Sequence, residues 1–64
     1  MWRRLTQRGD MHAQYERGDY VIVTVLRRGE RRFRLDYGND VIGVYTMLAS
    51  AKRGAARHLY RRAR

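Results

Sequence analysis

A strict alternation of polar and apolar residues over 31–37 constrains the fold of this chain more than any other feature. The apolar members would lie on one side of an extended segment and the polar members on the other: Phe33, Leu35 and Tyr37 against Arg32, Arg34 and Asp36. A period of two is typical of a β-strand with one buried face. The pattern therefore predicts a strand whose arginines point away from the core.

Two apolar runs flank this strand. Residues 20–26 are all β-branched, aromatic or leucine, and residues 41–45 form a second such run around Gly43. Both have the length and composition of strands. Turns are predicted at Arg28-Gly29-Glu30 and at Gly38-Asn39, where glycine and asparagine tolerate positive φ. Three antiparallel strands in a meander follow, although a helix beginning at 39 or 40 would consume the third strand.

The first predicted strand is apolar on both sides, so its register is not fixed by the pattern. A turn of even length would place the even-numbered residues, Tyr20 to Leu26, beside Phe33. A turn of odd length would place Val21, Val23 and Val25 there instead. The pattern leaves both registers open.

The last segment has helical periodicity. Leu48, Ala51, Ala55 and Leu59 recur at spacings of three and four, with Thr46 as the expected N-cap. Gly54 indicates either a close approach to the sheet or a break. The fold class is therefore α+β: residues 19–64 form a single βββα domain, with a three-stranded antiparallel meander and one basic C-terminal helix packed across a face.

Residues 1–18 are expected to form a short or partly ordered N-terminal segment. Asp10 could cap a short helical turn through Met11 and Tyr15, which Gly18 would end. A flexible arm carrying Trp2 is the competing interpretation.

The small size of this chain limits the hydrophobic core that it can form. A chain of 64 residues buries only about 60% of its unfolded surface. Cysteine is absent, which excludes disulfides and thiolate metal sites, and two histidines are too few for a histidine metal site. We therefore expect no cofactor and no metal, and a protein partner or a homodimer that supplies stability.

Sequence segments that would place the chain in a membrane are missing. No run approaches 18 apolar residues, and the basic N-terminus has no apolar stretch after it. The expected location is the cytoplasm or nucleoid, with a virus particle as another setting.

The net charge of the chain indicates what kind of partner it binds. Fifteen basic residues against six acidic ones give a net charge of +9, and fourteen of the fifteen are arginine. Arginine presents a planar fork of donors that matches phosphate oxygens and guanine edges. GC-rich coding also enriches arginine, so the bias has two explanations. The expected partner is a polyanion.

The predicted hairpin is the first candidate binding site. A β-ribbon fits the major groove of DNA, where outward side chains reach base edges. Arg32 and Arg34 would then read bases, while turn residues would hold phosphates; a solvated strand face is the alternative. The arginines concerned are Arg27, Arg28, Arg31, Arg32 and Arg34.

The predicted helix is the second candidate. Arg53, Arg57 and Arg61 are spaced by four, which aligns them on one face, and no acid follows Asp40. Such a row can follow a phosphate backbone. Anionic lipid is a weaker alternative, since the apolar face is mostly alanine.

These observations predict a small, non-enzymatic nucleic-acid-binding protein. Duplex DNA is favoured over RNA, in the manner of a phage or plasmid regulator or a recombination accessory factor. The alternative is a small protein that inhibits a larger host protein or ribonucleoprotein complex, or a structural component of a ribosome or virion. No nucleophile motif or phosphate-binding glycine loop suggests an enzyme.

One local resemblance points the same way. The stretch Ile42-Gly43-Val44-Tyr45-Thr46, with Ala51, is similar to the strand-to-helix junction of plant APETALA2-type domains and of the arm-binding domains of phage tyrosine integrases. The distinctive first strand of those families is missing. The resemblance implies a sheet that enters the major groove, with Arg32 and Arg34 on its DNA face.

Overall fold

The structure, a computed structural model, describes residues 1–6 and 13–63 as a five-stranded sheet and one helix. The strand order is sequential and every neighbouring pair is antiparallel. The α+β class is confirmed, whereas the predicted count of three strands is wrong. The elements are β1 (Arg3–Thr6), β2 (Ala13–Arg17), β3 (Tyr20–Arg27), β4 (Glu30–Tyr37), β5 (Asp40–Tyr45) and α1 (Leu48–Ala63).

The two additional strands lie in the segment for which an arm or a helical turn was predicted. β1 pairs with β2 through Arg4 and Tyr15, and Tyr15 in turn pairs with Ile22 of β3. A segment that pairs with an existing strand does not need a strongly apolar sequence. For this reason the composition of residues 1–18 did not indicate β1 and β2. The proposed cap at Asp10 and the turn residue Met11 lie outside the described residues.

Two-residue turns connect β2 to β3, β3 to β4 and β4 to β5. The turn after β3 is Arg28-Gly29, so Glu30 belongs to β4 rather than to the turn. Both turn residues have positive φ, +53° and +78°, as a type I′ hairpin requires. Its even length places Ile22 opposite Leu35, which resolves the register in favour of the first alternative.

The helix covers one face of the sheet and contacts β3, β4 and β5. The fully buried hydrophobic residues lie between these layers: Tyr20, Ile22, Leu35, Ala51 and Ala55. Leu48 packs against this core as predicted, but Leu59 is 40% exposed. His58 takes the predicted place of Leu59 on the packed face of the helix.

The strand-to-helix junction differs from its predicted form by one residue. The amide of Ala51 donates to the carbonyl of Met47 at 3.2 Å, which makes Met47 rather than Thr46 the N-cap residue. The helix is unbroken at Gly54. A Cβ at that position would lie 2.8 Å from Cζ of Tyr45, so this glycine permits close approach to the sheet.

A β-bulge interrupts the pairing of β5 with β4. Leu35 pairs with Gly43 and Asp36 pairs with Val41, which leaves Ile42 as an extra residue. Ile42 packs against the core beneath the helix. Val41 and Val44, opposite Asp36 and Arg34, consequently lie on the face that the helix leaves uncovered.

No helix formed by residues 1–6 or 13–63 has the length and apolar character needed to cross a membrane.

Candidate nucleic-acid interface

The strand register assigns each predicted arginine of the hairpin to a face. Arg32 pairs with Val25 and Arg34 with Val23, so both lie on the sheet face opposite α1, which we call the open face. Arg27 lies on the same face, whereas Arg31 pairs with Leu26 on the face that carries the helix. The hairpin arginines are thus divided between two surfaces, with Arg28 at the turn.

Acidic partners engage the arginines of the open face. Arg34 forms a bidentate pair with Asp36, Nε to Oδ1 at 3.1 Å and Nη2 to Oδ2 at 3.0 Å. Arg32 pairs with Glu30, and Arg3 pairs with Glu16 across β1 and β2. The side chain of Asp36 is only 17% exposed, so its pair with Arg34 is partly shielded from solvent. These contacts neutralise three arginines of the open face, while the guanidinium of Arg34 uses only two of its five N–H donors in its pair with Asp36.

The open face is therefore close to neutral. It carries four arginines and three acids, 4 − 3 = +1, among the residues that the structure describes. The charges are Arg3, Arg27, Arg32 and Arg34 against Glu16, Glu30 and Asp36. The surplus of a chain with net charge +9 must consequently lie elsewhere.

The helix carries a large share of that surplus. Within α1 there are five basic side chains and no acid. Arg53, Arg57 and Arg61 are all exposed, and their spacing of four aligns them over about 12 Å along the helix. We call these three residues the helix row. Arg53 also donates to Oγ of Ser50 at 3.2 Å.

The helix row and the open face belong to opposite sides of the molecule. The helix lies on the face that contains Phe33 and Leu35, while Arg32 and Arg34 project from the other face. A single DNA groove cannot receive both groups at once. The structure thus places the first and second candidate sites on opposite faces of the sheet.

A cluster of aromatic and basic residues anchors the C-terminal half of the helix. The ring centroids of Tyr20 and Tyr37 are 4.9 Å apart, and those of Tyr37 and His58 are 5.3 Å apart. The hydroxyl of Tyr20 hydrogen-bonds Nδ1 of His58 at 2.7 Å. Arg62 stacks 4.3 Å above the ring of Tyr37, and a hydrogen bond with Tyr20 raises the pKa of Arg62. This cluster fixes the rotation of α1, and therefore the direction in which the helix row faces.

Sequence reasoning missed this cluster, although a signal was present. His58 follows Ala55 by three and Ala51 by seven residues, which places it on the packed stripe of the helix. Tyr20 and Tyr37 are cross-strand partners at the end of the β3–β4 pair. A polar ring on an apolar stripe indicates a buried hydrogen-bond partner, here the Tyr20 hydroxyl.

The turn residue Arg28 has an unfavourable backbone conformation. Its φ of +53° lies in the left-handed region, which costs an L-residue with a long side chain about 1 kcal/mol. Asparagine or glycine normally occupies this turn position. Arg28 thus combines a strained backbone with an exposed side chain at the tip of the hairpin.

Comparison with known proteins gives no relative: no family model, no curated protein and no solved structure matches this chain.

Proposed function

We propose that this protein binds nucleic acid without catalysing a reaction, and that the helix row makes the principal contacts to the phosphates of duplex DNA. The supporting observation is the distribution of charge. The helix has five basic and no acidic side chains, whereas three acids pair with arginines on the open face. A polyanion approaching the helix row meets positive charge on a helix that carries no carboxylate of its own.

The ion pairs of the sheet argue for this choice of surface. The carboxylate of Asp36 neutralises the guanidinium of Arg34 and would repel a phosphate that approached it. Arg57 and Arg61 have no acid within ion-pair distance among the described residues. Contact with phosphate costs them only their hydration, so the helix is the favoured surface and base reading by Arg32 and Arg34 ranks second.

The proposed mechanism is counterion release. Each arginine that neutralises a phosphate releases part of the ion atmosphere of DNA. Three such contacts give a slope of about −2.7 for the logarithm of the association constant against the logarithm of salt concentration. Phosphate contacts position the protein but carry little sequence information.

Aromatic side chains favour a duplex over a single strand. Single-strand binding generally uses exposed rings on which bases stack. Tyr20 is 5% exposed and the Tyr37 ring is covered by Arg62, so both rings are engaged in the fold. Tyr60 on α1 is 67% exposed, so the helix offers a row of charges with one ring beside it rather than a series of rings for stacking.

Fluorescence anisotropy tests the proposal. Labelled duplex DNA, single-stranded DNA and duplex RNA are each titrated with the protein at several salt concentrations. We expect the tightest binding to duplex DNA, with a salt slope near −2.7. Equal affinity for all three polymers, or no binding at low salt, would contradict the proposal and direct the search to a protein partner by pull-down.

A further inference from the structure

The open face carries an apolar stripe that the fold leaves uncovered. Its members lie on the three strands β1, β3 and β5, and the polar side chains of β2 and β4 lie between them on the same face. The members are Leu5, Val21, Val23, Val25, Val41 and Val44. Val41 is 59% exposed and Val44 is 38% exposed. We call these six residues the valine stripe. An apolar face gains stability when another layer covers it.

Charge restricts what can cover the stripe. Two copies of a chain with net charge +9 repel each other, and contact through the acid-free helix would bring like charges together. The open face differs because its arginines and acids nearly balance. In a two-fold arrangement, an arginine of one copy can meet an acid of the other while the stripes pack together.

The dimensions of the face are sufficient for a weak, specific dimer. The five strands hold 31 residues, and each residue covers about 16 Å² of the sheet, given a rise of about 3.3 Å and a strand spacing of about 4.8 Å. The product is roughly 500 Å² per copy, or roughly 1,000 Å² for two copies. This area lies at the lower limit of biological interfaces.

The small core provides a reason for such an interface. Five hydrophobic residues are buried in the described part of the chain, and two of them are alanines. Small domains without disulfides or metals commonly gain stability by oligomerisation. Covering the valine stripe would add a second apolar layer to the same sheet.

We propose that the open face is the interface of a two-fold homodimer, in which the valine stripes of two copies pack face to face and the charged side chains of β4, which lie between the valines of β3 and β5, pair across the interface. This assignment is independent of nucleic-acid binding, because the helix row lies on the other side of the sheet. In the dimer, the two helix rows face outwards in opposite directions.

Sedimentation equilibrium of the full chain tests the proposal. Val23 lies in the middle strand of the sheet and near the middle of β3, so it lies close to the two-fold axis when the faces are centred on each other. Val23→Lys places two ammonium groups together and should raise the dimer dissociation constant at least about a hundredfold. Leu59→Lys, which adds the same charge to the exposed side of α1, is the matched control and should leave it unchanged.

Cross-linking provides a second test that does not depend on tolerance of a buried lysine. The native chain has no cysteine, so a single introduced cysteine can form a disulfide only between copies. Val23→Cys should oxidise to a covalent dimer rapidly, whereas Leu59→Cys should do so at least about tenfold more slowly because its thiols are far apart.

The outcomes distinguish the proposal from other arrangements. A wild-type chain that remains monomeric up to millimolar concentration would overturn it. A dimer that is unaffected by Val23→Lys, or that gives no rapid cross-link through Val23→Cys, would also overturn it and would indicate pairing through the edge strands β1 or β5. If Val23→Lys fails to fold, judged by circular dichroism, the cysteine pair decides.

Discussion

The hydroxyl of Tyr20 lies 2.7 Å from Nδ1 of His58 and forms a hydrogen bond between the middle strand of the sheet and the helix. Tyr20 is buried, and its ring packs against the ring of Tyr37. His58 follows the buried Ala55 by three residues in α1, so it lies on the packed face of the helix. This contact orients α1 and therefore connects the stability of the core to the position of the helix row.

His58→Ala should lower the free energy of unfolding by about 1–3 kcal/mol. The substitution removes the ring contacts with Tyr20 and Tyr37 and one hydrogen bond of the Tyr20 hydroxyl, which keeps its bond with Arg62. Urea denaturation followed by circular dichroism measures the change. Tyr20→Phe should cost less stability in the His58→Ala variant than in the wild-type chain, because the bond with His58 is already lost there. Additive effects of the two substitutions would show that the pair is not coupled.

Gly54→Ala should destabilise the protein, although alanine is the better helix former. The helix propensity gain is about 1 kcal/mol, while overpacking costs about 1–3 kcal/mol. The new methyl group would meet Tyr45 and lie 3.4 Å from Cδ2 of Leu35. Thermal unfolding should show a lower midpoint for Gly54→Ala, and Tyr45→Leu in the same chain should restore the benefit of alanine. A higher midpoint in the Gly54→Ala single variant would mean that Tyr45 moves without cost.

Arg57→Ala should weaken binding to all DNA sequences alike and reduce the magnitude of the salt slope by about one unit. Arg57 is exposed on an acid-free helix, and under the proposed function its loss removes one phosphate contact. Arg34→Ala is the matched control because it removes the same charge from the opposite face. Fluorescence anisotropy at several salt concentrations compares the two. A larger effect of Arg34→Ala, particularly on one preferred sequence, would move the interface to the open face.

Arg28→Asn should stabilise the β3–β4 hairpin by about 0.5–1 kcal/mol, because asparagine accepts positive φ more readily than arginine. The φ of +53° at this residue is the basis for the expectation. Thermal unfolding measures the gain, and Arg27→Asn, at a neighbouring strand position, serves as the comparison. If the tip also contacts nucleic acid, affinity should fall while stability rises. A midpoint that does not increase would contradict the assigned strain.

Local sequence patterns predicted four of the elements in the structure, the strands β3, β4 and β5 and the helix α1. The alternation in β4 and the apolar run of β3 correspond to strands with buried residues beneath α1, and the apolar run of β5 includes Ile42, which packs against the same core. β1 and β2 are short and contain no apolar run. Their extended form depends on hydrogen bonding to the next strand, β1 to β2 and β2 to β3, a tertiary effect that a local pattern does not report.

The candidate site was predicted in part for a similar reason. Alternation correctly assigned Arg32 and Arg34 to the face opposite Phe33. The same alternation places Glu30 beside Arg32 and Asp36 beside Arg34, at a spacing of two on one face. Counting arginines alone overlooked this neutralisation, and the position of the remaining charge became clear only when the helix was placed on the sheet.

The sequential strand order also determines how quickly this chain can fold. Each strand pairs with its neighbour in sequence, and three of the four hairpins close through only two residues. Such closures cost little chain entropy, and hairpins form within microseconds. We expect refolding on the order of milliseconds, fast for a sheet protein, with docking of α1 as the longest closure. Stopped-flow refolding followed by the single tryptophan, which packs against the core, would measure it; a phase lasting seconds would point to assembly of two chains as the slow step.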